Sequence, residues 1–117
     1  AAGPAPARGL LLQAALDAVE GRLGDPDLAP AVVARHLCVS VRHLHGLFAD
    51  HGTTFGRWVL RRRLEHSHRD LVDPAWAHCT VGEVATVWGF RDASHFARVF
   101  RDRYGVSPRE HRRARGG

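Results

Sequence analysis

The 117-residue sequence contains no methionine and no lysine, has only two cysteines, and nowhere carries a long apolar run. The missing methionine leads us to expect a processed or excised piece of a longer protein. Two distant cysteines, Cys38 and Cys79, do not make a disulfide framework, which favours a reducing, cytoplasmic setting. Because no stretch approaches the roughly 20 apolar residues that span a bilayer, and the start lacks a signal-peptide pattern, we expect neither membrane insertion nor secretion.

Motifs that carry catalytic or metal chemistry are missing as well. The sequence has no Cys-x-x-Cys pair, no glycine-rich phosphate loop, and no nucleophile with a matching base. Two histidine pairs, His43-x-His45 and His66-x-His68, have a spacing that turns their side chains about 200° apart on a helix, so neither pair can chelate an ion. We therefore expect no enzyme, no cofactor and no metal site.

Positive charge is abundant and comes entirely from arginine. Seventeen arginines oppose twelve acidic residues, giving a formal charge of +5 and a pI near 10.9. Residues 1–34 hold two arginines and four acidic residues, whereas residues 35–117 hold fifteen arginines and eight acidic residues. A polyanionic partner, either nucleic acid or an acidic membrane surface, is expected to bind after residue 34.

Apolar periodicity and capping residues predict an all-α protein of seven helices. Residues 1–9 resemble a linker remnant, residues 73–79 a loop, and no stretch alternates as a strand would. Two capping boxes, Thr80 to Glu83 and Ser107 to Glu110, open the fifth and seventh helices. The other predicted helices cover residues 10–23, 30–37, 41–52 after the cap Ser40, 55–72 after the cap Thr54, and 93–105 after the cap Asp92.

These helices form an internal repeat. Each copy is a short helix, a tight turn, a second helix, a glycine and a capping residue, which is the pattern of a helix-turn-helix. The first copy covers about residues 30–52, the second about 81–105, and a long helix at 55–72 links them. The matching positions are Ala34, Leu44, Phe48, Gly52 and Thr54 in the first copy, and Ala85, Phe96, Phe100, Gly105 and Ser107 in the second.

The second copy carries a dense set of fixed positions. Gly89-Phe90 is followed by Phe96 four residues before Phe100, then by Gly105-x-Ser107-Pro108 and Arg112; the first copy matches through Ala34, Ser40, Leu44, Leu47, Phe48, Gly52 and the Arg63-Leu64-Glu65 run. In these residues the chain resembles the C-terminal DNA-binding domain of the AraC/XylS family of bacterial transcription regulators. The resemblance covers about residues 10–115.

The resemblance implies two helix-turn-helix subdomains joined by a long central helix. Each second helix would then enter the major groove of double-stranded DNA, and the two would read successive groove segments. The base-reading positions carried over from the family are Arg42, His45 and Gly46 in the first helix, and Ala93, Ser94, His95 and Arg98 in the second. Contacts to the DNA backbone are expected from Ser40, Val41, Arg91, Arg112 and Arg113.

The resemblance also implies partners beyond DNA. Activators of this family touch RNA polymerase from exposed helix faces. Family members usually sense small molecules through an N-terminal domain, so we expect such an effector-sensing domain to be missing from this chain.

Several residues depart from the family pattern. Cys38 stands where a turn glycine is usual, and a non-glycine residue held at positive φ costs about 1 kcal/mol. Arg62 and Asp70 stand where the linking helix is often apolar, which puts the local packing in question. Trp58 and His111 replace the more frequent tyrosine.

Other functions remain compatible with a basic helical chain. The main alternative is a protein–protein interaction module with no specific DNA binding, and a further one is a general binder of acidic surfaces. Competition with scrambled DNA separates these from a sequence-specific DNA-binding domain.

Overall fold

The computed structural model describes the backbone of residues 4–116 and the side chains of residues 9–115. This part of the chain is all-α, as predicted, and contains no strand. None of its helices is long and apolar enough to cross a membrane. The helices are α1 (Pro4–Glu20), α2 (Pro30–His36), α3 (Val41–Asp50), α4 (Phe55–Asp70), α5 (Val81–Val87), α6 (Ala93–Tyr104) and α7 (Pro108–Gly116).

Two predicted boundaries need correction. The first helix begins at Pro4 and not at residue 10, so the linker prediction is wrong for residues 4–9, while residues 1–3 lie outside the described part. Proline fits the first turn of a helix because its missing N–H would have no partner there, and this composition was misread as a linker. The predicted loop at 73–79 contains a short 3₁₀ helix, Pro74–Trp76, capped by the side chain of Asp73.

The chain divides into two compact units. The first runs up to Leu23 and resumes over Asp27–Leu60; the second comprises Gly24–Pro26 and the described residues from Arg61 onward. In the first unit α1 packs on both α2 and α3, and α2 packs on α3. Its core is made of side chains that are almost completely buried, among them Val19, Leu23, Val33, Ala34, Leu44, Leu47 and Phe48.

In the second unit α6 packs on both α5 and α7. Phe96 and Phe100 are fully buried, with Val84 and Ala85 of α5 beside them in the core list. The Gly24–Pro26 segment is tied to this unit, because Arg63 donates a 2.7 Å hydrogen bond to the carbonyl oxygen of Asp25. Burial lowers the pKa of the Arg63 guanidinium from its usual value, and the Asp25 charge opposes that effect.

Side chains at the helix starts supply the predicted caps. The Ser40 hydroxyl accepts a hydrogen bond from the His43 N–H at 3.0 Å, at the start of α3. Before α5 and α7 both bonds of each capping box form, linking Thr80 with Glu83 and Ser107 with Glu110. These local bonds satisfy backbone N–H groups that have no partner inside the helix, and they fix where each helix begins.

The turns of the two repeats have the same backbone geometry. After α2 the Val39 N–H donates to the Ala34 carbonyl at 3.0 Å, and after α5 the Phe90 N–H donates to the Ala85 carbonyl at 3.0 Å. Between the bonded residues lies one left-handed residue, Cys38 at φ 58° in the first turn and Gly89 at φ 88° in the second. This closure ends each first helix, and it confirms that Cys38 occupies a glycine position.

Cys38→Gly is expected to raise the free energy of unfolding by about 1 kcal/mol, because glycine adopts positive φ without the steric cost that a β-carbon brings. Urea denaturation measures the change. Cys38→Ala is the matched control: it removes the thiol but keeps a β-carbon, so its stability should stay near that of the parent. A gain from alanine equal to that from glycine would show that the thiol, and not the backbone, is unfavourable.

The polar residue Asp70 is accommodated inside the second unit. Only 2% of Asp70 is exposed, and its carboxylate accepts bonds from the indole N–H of Trp88 at 2.8 Å and the Nε of Arg69 at 3.3 Å. Arg62, the other departure, is half-buried and bonds Glu65 within α4 at 3.4 Å. The expected packing problem is therefore solved by hydrogen bonding, which removes the cost of burying an isolated carboxylate.

Candidate nucleic-acid interface

The exposed face of α3 holds the first predicted set. Leu44, Leu47 and Phe48 fill the core, which turns the other side of the helix outward. Arg42 and His45 are exposed as predicted, and Gly46 is partly exposed. The predicted backbone-contacting residues Ser40 and Val41 are exposed at the start of the same helix.

The exposed face of α6 holds the second set. The Asp92 carboxylate accepts bonds from the backbone N–H groups of Ser94 at 2.8 Å and His95 at 3.3 Å. Phe96 and Phe100 face the core, so the four predicted base-reading residues are all exposed, and so is Arg91. Arg98 lies one turn beyond His95, and its Nη2 is 3.1 Å from the His95 Nδ1.

Two exposed residues were missed in the sequence. His43 lies at the third position of α3, and His95 lies at the same position of α6. Arg101 lies on α6 one turn after Arg98 and is likewise exposed. The repeat register was the available signal, since aligning Leu44 with Phe96 places His43 opposite His95.

Arg112 is placed differently from its prediction. Its guanidinium donates to three backbone carbonyl oxygens of its own chain: Leu71 at 2.9 Å, Cys79 at 2.5 Å and Trp76 at 3.1 Å. These bonds fasten α7 to the segment between α4 and α5. We therefore correct the assignment of Arg112 to DNA backbone contact, whereas the neighbouring Arg113 is exposed.

The histidines of α4 pack against aromatic rings. The His66 ring stacks on the Trp88 indole, with centroids 4.2 Å apart and an interplanar angle of 12°. The His68 ring stacks on Tyr104 at 4.2 Å and on His111 at 4.0 Å. Among the residues described, no three His, Cys, Asp or Glu side chains come together in a group that could hold a metal ion.

Burial lowers the pKa of His68 from its usual value, and the nearby charges of His111, Arg115 and Arg103 lower it further. The buried His111 replaces the tyrosine of the family pattern, and its Nε2 lies 3.0 Å from the His68 carbonyl oxygen, to which it donates. A proton on His68 is therefore unfavourable within this stack.

Acidification is expected to destabilise the fold through His68. Because its pKa is lowered in the folded state, the unfolded chain takes up the proton first, so stability falls as the pH drops through about 6.5 and levels off below the folded pKa. His68→Phe keeps an aromatic ring and should flatten the pH dependence of unfolding between about pH 7.5 and 5.5. His45→Phe, at an exposed position, should not; an equal effect of both variants would remove His68 as the cause.

Comparison with known proteins agrees with this arrangement. A family model described as a helix-turn-helix domain matches residues 33–114. The Transcriptional activator NphR of a Rhodococcus species is 38% identical over 90 residues, which cover 77% of this chain and 26% of that protein. The Probable thc operon regulatory protein of Rhodococcus erythropolis is 36% identical over 108 residues, which cover 92% of this chain and 32% of that protein.

A solved structure has the same fold. The crystal structure of a transcriptional regulator from Chromobacterium violaceum, titled as an AraC-type DNA-binding domain-containing protein, superposes with a TM-score of 0.81. It is 25% identical, and the match covers 92% of this chain and 93% of that one. The chain spans about a quarter to a third of the length of the curated relatives it matches.

Two capped helix-turn-helix pairs, each with an exposed second helix, define a DNA-binding class of protein. Within that class, the chain belongs to the AraC-type helix-turn-helix family of bacterial transcription regulators.

Proposed function

We propose that this chain binds operator DNA by placing α3 and α6 in successive segments of the major groove. The observation that carries the proposal is the repeated arrangement of a braced second helix whose inner face is buried and whose outer face carries exposed arginine: Arg42 on α3 and Arg98 on α6. A helix of this kind presents the residues of its N-terminal half to base edges.

The proposed roles follow from side-chain chemistry. Arg42 and Arg98 each bond the O6 and N7 atoms of a guanine, because the guanidinium fork matches both acceptors. His45, Ser94 and His95 form single hydrogen bonds to base edges. Gly46 and Ala93 offer no polar side chain, so any readout there is apolar or indirect.

Contacts to phosphates position the helices without reading sequence. We assign them to Ser40, Val41, Arg91 and Arg113, where Val41 contributes through its backbone N–H. Arg112 is left out because its guanidinium bonds the chain itself.

The full-length protein is proposed to act as a regulator in the bacterial cytoplasm, where its DNA lies. Relatives of this chain are named as transcriptional activators. We propose that an exposed helix face contacts RNA polymerase and that an N-terminal domain outside this chain senses an effector.

Selection of bound sites from random duplex DNA tests the proposal. The parent chain should enrich a defined consensus, and Arg98→Ala should lose about 5- to 150-fold in affinity while relaxing preference at one or two base pairs. Arg113→Ala is the matched control, since loss of a phosphate contact should weaken all sequences alike. A protein–protein interaction module would enrich no consensus, and that outcome would refute the proposal.

A further inference from the structure

The two recognition helices present unequal chemistry at matching positions. The register is fixed by the buried residues, because Leu44 and Phe48 of α3 take the places of Phe96 and Phe100 of α6. This alignment pairs Arg42 with Ser94, Gly46 with Arg98, and Ala49 with Arg101.

On each helix the three paired positions form one row. Their spacing of i, i+4 and i+7 stacks them along a single face of a helix. In α6 the row of Ser94, Arg98 and Arg101 is fully exposed and ends in two guanidinium groups. In α3 the row begins with Arg42, and Gly46 and Ala49 then place no polar side chain along the rest of it.

The flank of each row repeats the difference. In α6 the His95 ring has Arg98 as its neighbour, with Nη2 3.1 Å from Nδ1, and this contact restrains the arginine before DNA arrives. In α3 the matching His43 has Gly46 in that place, which supplies no side chain. Pre-ordering of a flexible arginine lowers the entropy lost on binding.

The helices also differ in charge. The last turn of α6 contains Arg101 and Arg103, whereas the last turn of α3 contains no basic residue. Glu110 of α7 interacts electrostatically with Arg101, but that carboxylate is also held by the Ser107 N–H in the capping box. The end of α6 therefore attracts phosphates more strongly than the end of α3.

We propose that the operator has one strong and one weak half-site, with α6 supplying most of the sequence-specific affinity and α3 reading its half-site mainly through Arg42. This inference rests on the proposed DNA-binding function. Arg98 reads a guanine, Arg101 binds the adjoining DNA backbone, and the short residues Gly46 and Ala49 make α3 tolerant of sequence over the rest of its half-site.

Site selection followed by half-site scrambling tests this asymmetry. The half-site of α6 is the one whose consensus changes in Arg98→Ala, and that of α3 is the one whose consensus changes in Arg42→Ala. Scrambling the α6 half-site should reduce affinity to that for random DNA. Scrambling the α3 half-site should cost less than about tenfold, because only one bidentate contact is lost there.

A gain-of-contact variant gives the sharper result. Gly46→Arg copies the Arg98 position onto α3 and should add one specified base pair to the weak half-site, with about 5- to 150-fold discrimination there. Gly46→Ala is the matched control: both changes favour the helix over glycine, but alanine brings no base-reading group. Thermal unfolding of both variants verifies that they fold.

The outcomes separate the two proposals. Equal information in both half-sites, or equal losses on scrambling either one, would overturn the asymmetry while leaving sequence-specific binding intact. An unchanged consensus in folded Gly46→Arg would likewise count against the role given to this row. Failure of the parent chain to enrich any sequence would refute the proposed function itself.

Discussion

Arg112→Ala is expected to lower the free energy of unfolding by about 3 kcal/mol, since it removes three hydrogen bonds worth roughly 1 kcal/mol each. The bonds run from one guanidinium to carbonyl oxygens 33 to 41 residues away in sequence, so they hold the end of the chain onto the α4–α5 connection. Urea denaturation monitored by circular dichroism measures the loss.

Two further variants make this result specific. Arg112→Lys should recover little of the loss, because one ammonium cannot reach three separate carbonyls as the planar guanidinium does. Arg113→Ala changes the neighbouring exposed arginine and should shift stability by no more than about 0.5 kcal/mol. Equal stabilities of the Arg112 and Arg113 alanine variants would mean that the carbonyl contacts contribute nothing measurable.

Raising the salt concentration from about 50 to about 200 mM should weaken binding to the selected DNA roughly 10³-fold. Six arginines lie exposed on or beside α3, α6 and α7: Arg42, Arg91, Arg98, Arg101, Arg109 and Arg113. If each neutralises a phosphate or its neighbourhood, the released counterions give a slope of log K against log salt of about −5. Fluorescence anisotropy at several salt concentrations measures the slope.

The slope also separates phosphate contacts from other forces. Arg113→Ala should make it shallower by about one, because one fewer phosphate is neutralised. Random-sequence duplex DNA should bind more weakly but with a similar slope, since its affinity comes from the same arginines. A slope between zero and about −2 would show that charge contributes little, contrary to the interface proposed here.

Local features were readable in the sequence because their causes are local. The caps Ser40, Thr80 and Asp92 lie two or three residues from the N–H groups they bond, so spacing alone revealed them. The buried aromatic pair Phe96 and Phe100 followed from helical periodicity. The left-handed turn at Cys38 was anticipated from the glycine usually found there, and its φ of 58° confirms that position.

Features built from distant residues had no such signal. Asp70 meets Trp88 18 residues away, and nothing in the sequence near either residue indicates the pair. Arg112 looked like a surface arginine because its three carbonyl partners lie in another part of the chain. The start of α1 was misplaced for a different reason: proline and glycine there resembled a linker, although proline is tolerated in a first turn.

The candidate base-reading set remains a prediction, carried by exposure and by the family resemblance. Exposure follows directly from which residues are buried, so the outer faces of α3 and α6 could be deduced from the sequence. Contact with a base cannot, because it depends on how closely each helix approaches DNA and on which sequence it meets.

The Gly24–Pro26 segment limits how such repeats can be exchanged in evolution. It lies between α1 and α2 in sequence, yet it belongs to the second unit, where a Cβ on Gly24 would come within 2.8 Å of the Val87 carbonyl oxygen. A crossover near residue 60 would therefore transplant, together with the first repeat, a piece that must fit the host's second repeat. Productive chimaeras should keep a glycine at position 24 and an arginine at position 63, so the two repeats are inherited as a matched pair.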